Sequence, residues 1–150
     1  MEYTNNKRTD NFTLRDIHVG DWVQVWSDAT ERYSSPLKVI SIHDDGTIYL
    51  VASEEERCTP WEENIKNVDS LEITRELFEG FGFEVIPEDY PKDVFNVFYD
   101  GRKIGKVCEI AGCRIIDTPH KCYGYFHEFM GYINHMFHKT LKLEWKGVQK

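Results

Sequence analysis

The chain has 150 residues, of which 41% are hydrophobic, 14% aromatic and 29% charged. This composition excludes a disordered chain and is sufficient for one real core. The 18 basic and 26 acidic residues leave a net charge of −8, which argues against direct nucleic-acid binding because neutralising phosphates takes a basic face.

Residues 1–13 are polar and read as a mobile arm. Gly20 is a turn signal, and Asp21-Trp22-Val23-Gln24-Val25-Trp26 alternates with period two, which puts Trp22 and Trp26 on one face of a strand. A second strand is expected over 36–42 and a third over 47–51, joined by Asp44-Asp45-Gly46, a hairpin signal. Residues 54–57 read as a charged loop, and 58–68 as a short strand or a 3₁₀ turn. Several short strands in about fifty residues predict a small SH3-like barrel over 14–69. A helix follows over 73–81, with Thr74 as N-cap and Gly80 or Gly82 as the stop. Pro87 and Pro91 bracket a loop. Strands are then expected over 93–99 and 103–110, joined by Asp100-Gly101, with a third over 114–117. A helix over 123–138 places Phe126, Phe129, Met130, Ile133, Met136 and Phe137 at three- and four-residue spacing. Of these, Phe126, Met130, Ile133 and Phe137 are expected in the core. The fold class expected is α+β: a small barrel over 14–69, then an α+β part over 70–150 with a β-hairpin or small antiparallel sheet and a C-terminal amphipathic helix, in one compact unit.

No window approaches 18 apolar residues, so no membrane-spanning helix and no membrane partner are expected. The opening MEYTNNKRTD has no apolar segment of a signal peptide, so the expected location is cytoplasmic, with reduced cysteines. Those are Cys58, Cys108, Cys113 and Cys122, with no C-x2-C pair. The run Cys108, Cys113, Cys122 with His120 nearby only loosely matches zinc-ligand spacing, and the plainer reading makes Cys108 and Cys113 small buried strand residues.

The last helix concentrates polar chemistry. At about 100° per residue from His127, Gly131, Asn134 and His138 share one stripe and His135 lies beside it. His127 and Asn134 are therefore candidate binding residues. His135 and His138, three positions apart, are candidate metal ligands, with zinc as the metal and Cys122 or His120 completing the set. The HExxH pattern is absent, because Gly131 stands where its second histidine belongs. No G-x-S-x-G, phosphate-binding glycine loop or G-x-G-x-x-G follows a strand, so no catalytic residue is assigned.

The aromatic residues of the expected barrel are Trp22, Trp26, Tyr33, Tyr49 and Trp61. A barrel that small cannot fully hide so many rings. The plainer reading has them fill the barrel and its contact with the second part; as the functional reading, Trp22, Trp26, Tyr49 and Trp61 are candidates for a groove that binds an extended peptide. An aromatic cluster rimmed by acidic side chains would favour basic peptides. Charge is segregated along the chain: residues 21–100 carry 19 acidic and 6 basic residues, and 101–150 carry 4 acidic and 9 basic. Three functions fit these features: a non-enzymatic binding protein with a protein partner, a metal-binding protein or metal-dependent enzyme using the histidine helix, and an acidic mimic of nucleic acid that inhibits a DNA-binding protein.

Three stretches, "VGDWV", "ITRELFEGFGFE" and "YGYFHEFMGYINHMFHKTLKL", resemble small uncharacterised phage and prophage proteins of gut bacteria. Gly20, Asp21 and Val23 fit the opening of that pattern, Leu77, Gly82 and Phe83 its middle, and Tyr125, His127, Glu128, Phe129 and Leu143 its end. The family pattern has glutamine and asparagine where this chain has Met130 and Gly131. The resemblance implies a mobile-element origin and a compact α+β protein. It carries no activity.

Overall fold

Thr74 begins the clearest case of sequence dictating structure. Its side chain accepts a hydrogen bond from the Leu77 amide, which starts helix α1 (Arg75–Gly80). The helix ends in a paired cap. The Phe83 amide donates to the Phe78 carbonyl and the Gly82 amide to that of Glu79. Gly82 takes φ +94°, and the Phe83 ring meets Phe78 edge-on at 5.8 Å. Of the two glycines expected to stop the helix, Gly82 is the stop. Gly80 serves a different purpose, described below.

The structure, a computed structural model, describes residues 10–52, 59–89, 93–136 and 143–147. It is mixed α and β, 41% strand, with an antiparallel sheet curled into a half-barrel and a helix near the C-terminal end. The chain divides into two units, Met1–Leu71 and Glu72–Lys150.

The first unit is organised by strand β1 (Trp22–Ser27). It pairs antiparallel, in succession along its length, with β3 (Leu37–Ile42), β6 (Val68–Asp69) and β2 (Arg32–Tyr33). Between them, β3 leads through the Asp44-Asp45-Gly46 turn to β4 (Thr47–Val51) and then β5 (Trp61–Asn64). A 3₁₀ turn over Ile65–Asn67, capped by Asn64, delivers β6 back to β1. Gly46 takes φ +94° in the hairpin turn, where its amide donates to the His43 carbonyl and its carbonyl accepts from the Ile65 amide. Residues Trp22 to Trp26 are all buried, so β1 is covered on both faces rather than on the one face expected from its alternation. The expected arm is also partly structural. Phe12 is buried and the Asp10 carboxylate accepts hydrogen bonds from the backbone and hydroxyl of Ser70. Residues 1–9 lie outside the described residues.

The second unit is a five-stranded antiparallel meander, β7 (Glu84–Pro87), β8 (Phe95–Tyr99), β9 (Arg102–Ile110), β10 (Cys113–Asp117) and β11 (Cys122–Tyr123), with α1 before it and α2 (Phe126–Met136) after it. Two turns set its register with successive positive φ values. These are +50° and +78° at Asp100-Gly101, and +53° and +80° at Ala111-Gly112. Alternation sends Phe95, Val97, Val107, Ile116 and Tyr123 inward. Phe78 is the hub of this core. Its ring lies edge-on to Phe83, Phe95, Phe126 and Phe129 at 5.5 to 5.9 Å. Phe126, Phe129, Met130 and Ile133 are buried, as the spacing predicts, while the fourth expected core residue, Phe137, lies outside the described residues.

The segment 143–147 is extended without a strand and closes over the end of α1. The Lys146 amide donates to the Gly80 carbonyl at 2.8 Å, and the Trp145 ring packs on Phe81. A Cβ on Gly80 would overlap the Trp145 ring. Gly80 is thus the seat of this indole. Although alanine is the better helix former, Gly80→Ala should destabilise the protein by about 1–3 kcal/mol through overpacking. In a Trp145→Ala background the same change should be neutral or stabilising by up to about 1 kcal/mol. Urea denaturation of the four-member cycle checks this, and equal effects in both backgrounds would refute the seat.

Candidate functional site

The sequence places Trp26 and Tyr33 seven residues apart, and the two-strand pairing of β1 with β2 sets them directly opposite each other. The rings meet edge-on, with centroids 5.0 Å apart and planes at 70°. The polar atom of each ring is engaged within the protein. The Trp26 indole Nε1 donates to the Asp28 carboxylate at 2.9 Å, and the Tyr33 hydroxyl donates to the buried Asp69 carboxylate at 2.7 Å. Across from them, β5 and the 3₁₀ turn present Trp61, Glu63 and Asn67, and these walls enclose a groove of about 500 Å³. Asn67 Nδ2 donates to Glu63 Oε1 at 2.8 Å, which orients that carboxylate. Trp61 is 54% exposed, while Trp26 is 8% exposed. Asp28 and Glu63 form no ion pair among the described residues. Arg32 is the one cation lining the groove.

Of the aromatic candidates from the sequence, Trp26 and Trp61 are brought together here and Trp22 and Tyr49 are not. Trp22 is fully packed at the other end of β1, and Tyr49 stands on β4 with its ring against His43. Tyr33, Asp28, Glu63 and Asn67 belong to the groove but were not among the sequence candidates. An acidic residue two positions after Trp26 and another two after Trp61 were the available signal.

The histidine helix is arranged differently from the expectation of one polar stripe. His127 is 4% exposed, with its ring stacked on Tyr125, whereas Asn134 and His135 are exposed. His127 therefore shares no solvent face with Asn134. His120 stacks on Tyr132 at 5.6 Å. His138 lies outside the described residues. Among the described residues no group of three or more His, Cys, Asp or Glu side chains is placed to hold a metal ion.

Register places Cys108, Cys113 and Cys122 on one face of the second sheet, opposite the face that carries Val107, Ile116 and Tyr123. Cys108 is half-buried and the other two are exposed, so the expected burial of Cys113 does not occur: it opens β10 on the outward face. Cys58 lies outside the described residues. The Cys122 thiol donates to Asp117, and this bond to a carboxylate, with some burial, pushes its pKa up. That is the opposite of an activated nucleophile. A second cavity, about 460 Å³ beside α1, is walled in part by Arg75, Glu88 and Arg114. All three are engaged internally: Arg75 with Glu79, Glu88 with Asn96 and Lys106, and Arg114 with the Ile73 carbonyl. No family model, curated protein or solved structure matches the chain.

Two outcomes test these assignments. Tyr33→Phe leaves the buried Asp69 carboxylate without its phenol donor and should cost about 1–3 kcal/mol in urea unfolding; a loss under about 0.3 kcal/mol would mean the bond does not order the groove. Asp117→Asn should lower the Cys122 pKa, so that the pH profile of its alkylation moves to lower pH. Peptide mapping of the labelled protein reads this, and an unmoved profile would remove Asp117 as the cause.

Proposed function

We propose that the protein is a non-enzymatic binding protein, an accessory protein of a mobile element, that acts in the cytoplasm by contacting another protein through the groove of its first unit. The observation that carries this reading is Trp61, which stands 54% exposed on the rim of a groove whose opposite wall is Trp26 and Tyr33. Leaving a tryptophan half in water forgoes roughly 1–2 kcal/mol of burial, and an exposed aromatic continuous with a groove marks an interaction surface. The strand order adds support. A three-stranded meander, a 3₁₀ turn and a last strand that returns to the first is the order of small SH3-like barrels, which commonly serve as hosts for binding sites. The resemblance of three stretches to phage and prophage proteins supports the mobile-element origin. The acidic-mimic alternative is less favoured. Several carboxylates it would need are engaged internally, among them Asp69, Asp45 and Glu88.

Trp61→Ala tests the reading. An exposed substitution changes folding stability by about 0.5 kcal/mol or less, while loss of a central aromatic anchor weakens binding by about tenfold or more. Affinity capture from a gut-bacterial lysate, quantified by mass spectrometry, should show a partner held by the unmodified protein and lost by Trp61→Ala at an unchanged melting temperature. A partner set that is identical for both proteins, or no partner for either, would overturn the proposal.

A further inference from the structure

We infer that the occupant of the groove is an extended peptide segment bearing lysine or arginine, with its cation held between the Trp61 ring and the Asp28 and Glu63 carboxylates. This inference rests on the binding reading above and adds the chemical class of the ligand. Three features of the groove carry it.

The first is what the rings have left to offer. Trp26 Nε1 and the Tyr33 hydroxyl are both donors, and both are bonded inside the protein, to Asp28 and Asp69. At these two rings a ligand therefore meets faces and edges in place of hydrogen-bond donors. The negative face of an indole attracts a cation, and most strongly that of tryptophan. Of the three rings, Trp61 is the one exposed to solvent.

The second is the placement of charge. Asp28 and Glu63 line the groove on its two sides, one after β1 and one on β5. Each already accepts a hydrogen bond that orients it, from Trp26 and from Asn67. A carboxylate of which one oxygen is engaged keeps lone pairs on the other for a charged donor. Among the described residues neither is neutralised by an ion pair. Arg32 is the single opposing charge in the lining, against the two carboxylates of Asp28 and Glu63. An acidic or phosphorylated segment would meet repulsion here.

The third is shape. The groove runs between a two-stranded ribbon and a 3₁₀ turn. An open slot of about 500 Å³ suits an extended chain laid across it better than a helix, which is about 10 Å or more across.

The experiment is selection of a displayed random peptide library on the immobilised full-length protein, with the Trp61→Ala protein as the counter-selection. Enriched sequences should carry lysine or arginine well above their frequency in the input. For the best peptide, Asp28→Asn with Glu63→Gln should weaken binding by roughly 5- to 30-fold, with the melting temperature unchanged because both amides still accept the bonds from Trp26 and Asn67. Raising the salt concentration should weaken binding in the same direction. Enriched peptides without a basic bias that still lose binding on Trp61→Ala would overturn the cationic ligand and leave the groove reading standing. Basic peptides that ignore the double amide variant would also overturn it. Failure to enrich any sequence over the Trp61→Ala control would overturn both the ligand and the groove.

Discussion

The first unit depends on the fact that one strand, β1, must serve three partners. A six-residue strand that pairs with β3, β6 and β2 in turn cannot stay flat, because each new partner adds to the right-handed twist. Its seam with β6 is polar and buried. Gln24 donates to the Ser70 carbonyl, Ser70 donates to Asp10, and Asp69 accepts from Tyr33. A satisfied hydrogen bond of this kind contributes only about 1 kcal/mol, but leaving one partner orphaned costs about 1–3 kcal/mol. The seam therefore acts mainly as a specification of register. A one-residue slip of β6 would send Asp69 away from Tyr33 and strand a carboxylate in the interior. Because Tyr33 is tethered by that bond, the ring pair it forms with Trp26 is held in place.

The second unit solves a different problem with a different chemistry. Its five strands are a simple meander with local connections, so register comes from turns rather than from buried polar bonds. The core is then left to aromatics. Edge-on contacts let one phenylalanine, Phe78, touch four others, an arrangement preferred over face-to-face stacking because ring edges and faces carry opposite partial charge. Trp145 is admitted only because Gly80 has no side chain, so the chain's late segment is held by a residue that contributes space and one backbone carbonyl. The groups of this unit that carry chemistry are mostly quenched. The second cavity's arginines and Glu88 are engaged, and Cys122 is held toward its neutral form. The two groove carboxylates without an ion pair among the described residues, Asp28 and Glu63, lie in the first unit.

How much of this was legible in the sequence depended on how local each signal was. Thr74 as a cap, the Asp-Gly turns at 45–46 and 100–101, and the apolar repeat of α2 over Phe126, Phe129, Met130 and Ile133 all act within four residues of themselves, and each appears where the spacing puts it. The Ala111-Gly112 turn has the same geometry but lacks the asparagine or aspartate that tolerates positive φ, so only its glycine signalled it. Strands β2, β7 and β11 were not anticipated. Two of them are two residues long, and β7 contains charged and proline residues that its edge position tolerates. The candidate site was half legible. That barrel aromatics belong in a groove could be argued from their number. That Trp26 and Trp61 share it while Trp22 and Tyr49 do not is a matter of which ends of β1 and β5 come together, and pairings across tens of residues leave no periodic trace. His127 shows the limit of a helical wheel. The wheel gives direction around the axis but not what packs on the first turn, where Tyr125 stacks on the imidazole.

On the proposed reading, the groove lets a net-acidic protein be selective among cations. Exposed carboxylates in water attract any positive charge weakly, and at physiological salt this attraction fades beyond about 8 Å. Among the described acidic side chains of the first unit, Asp28 and Glu63 are the two that line the slot together with large rings. A ligand that covers Trp61 displaces water from the carboxylates as well, and with the dielectric lowered the charge–charge and cation–π interactions strengthen together. On the proposed reading, then, affinity comes from covering the ring, and the sign of the ligand's charge is read only once the ring is covered. A free cation, which covers no ring, gains little from the site. A peptide that covers the ring but carries a neutral or negative side chain leaves two carboxylates desolvated without a partner, and that penalty is the discrimination.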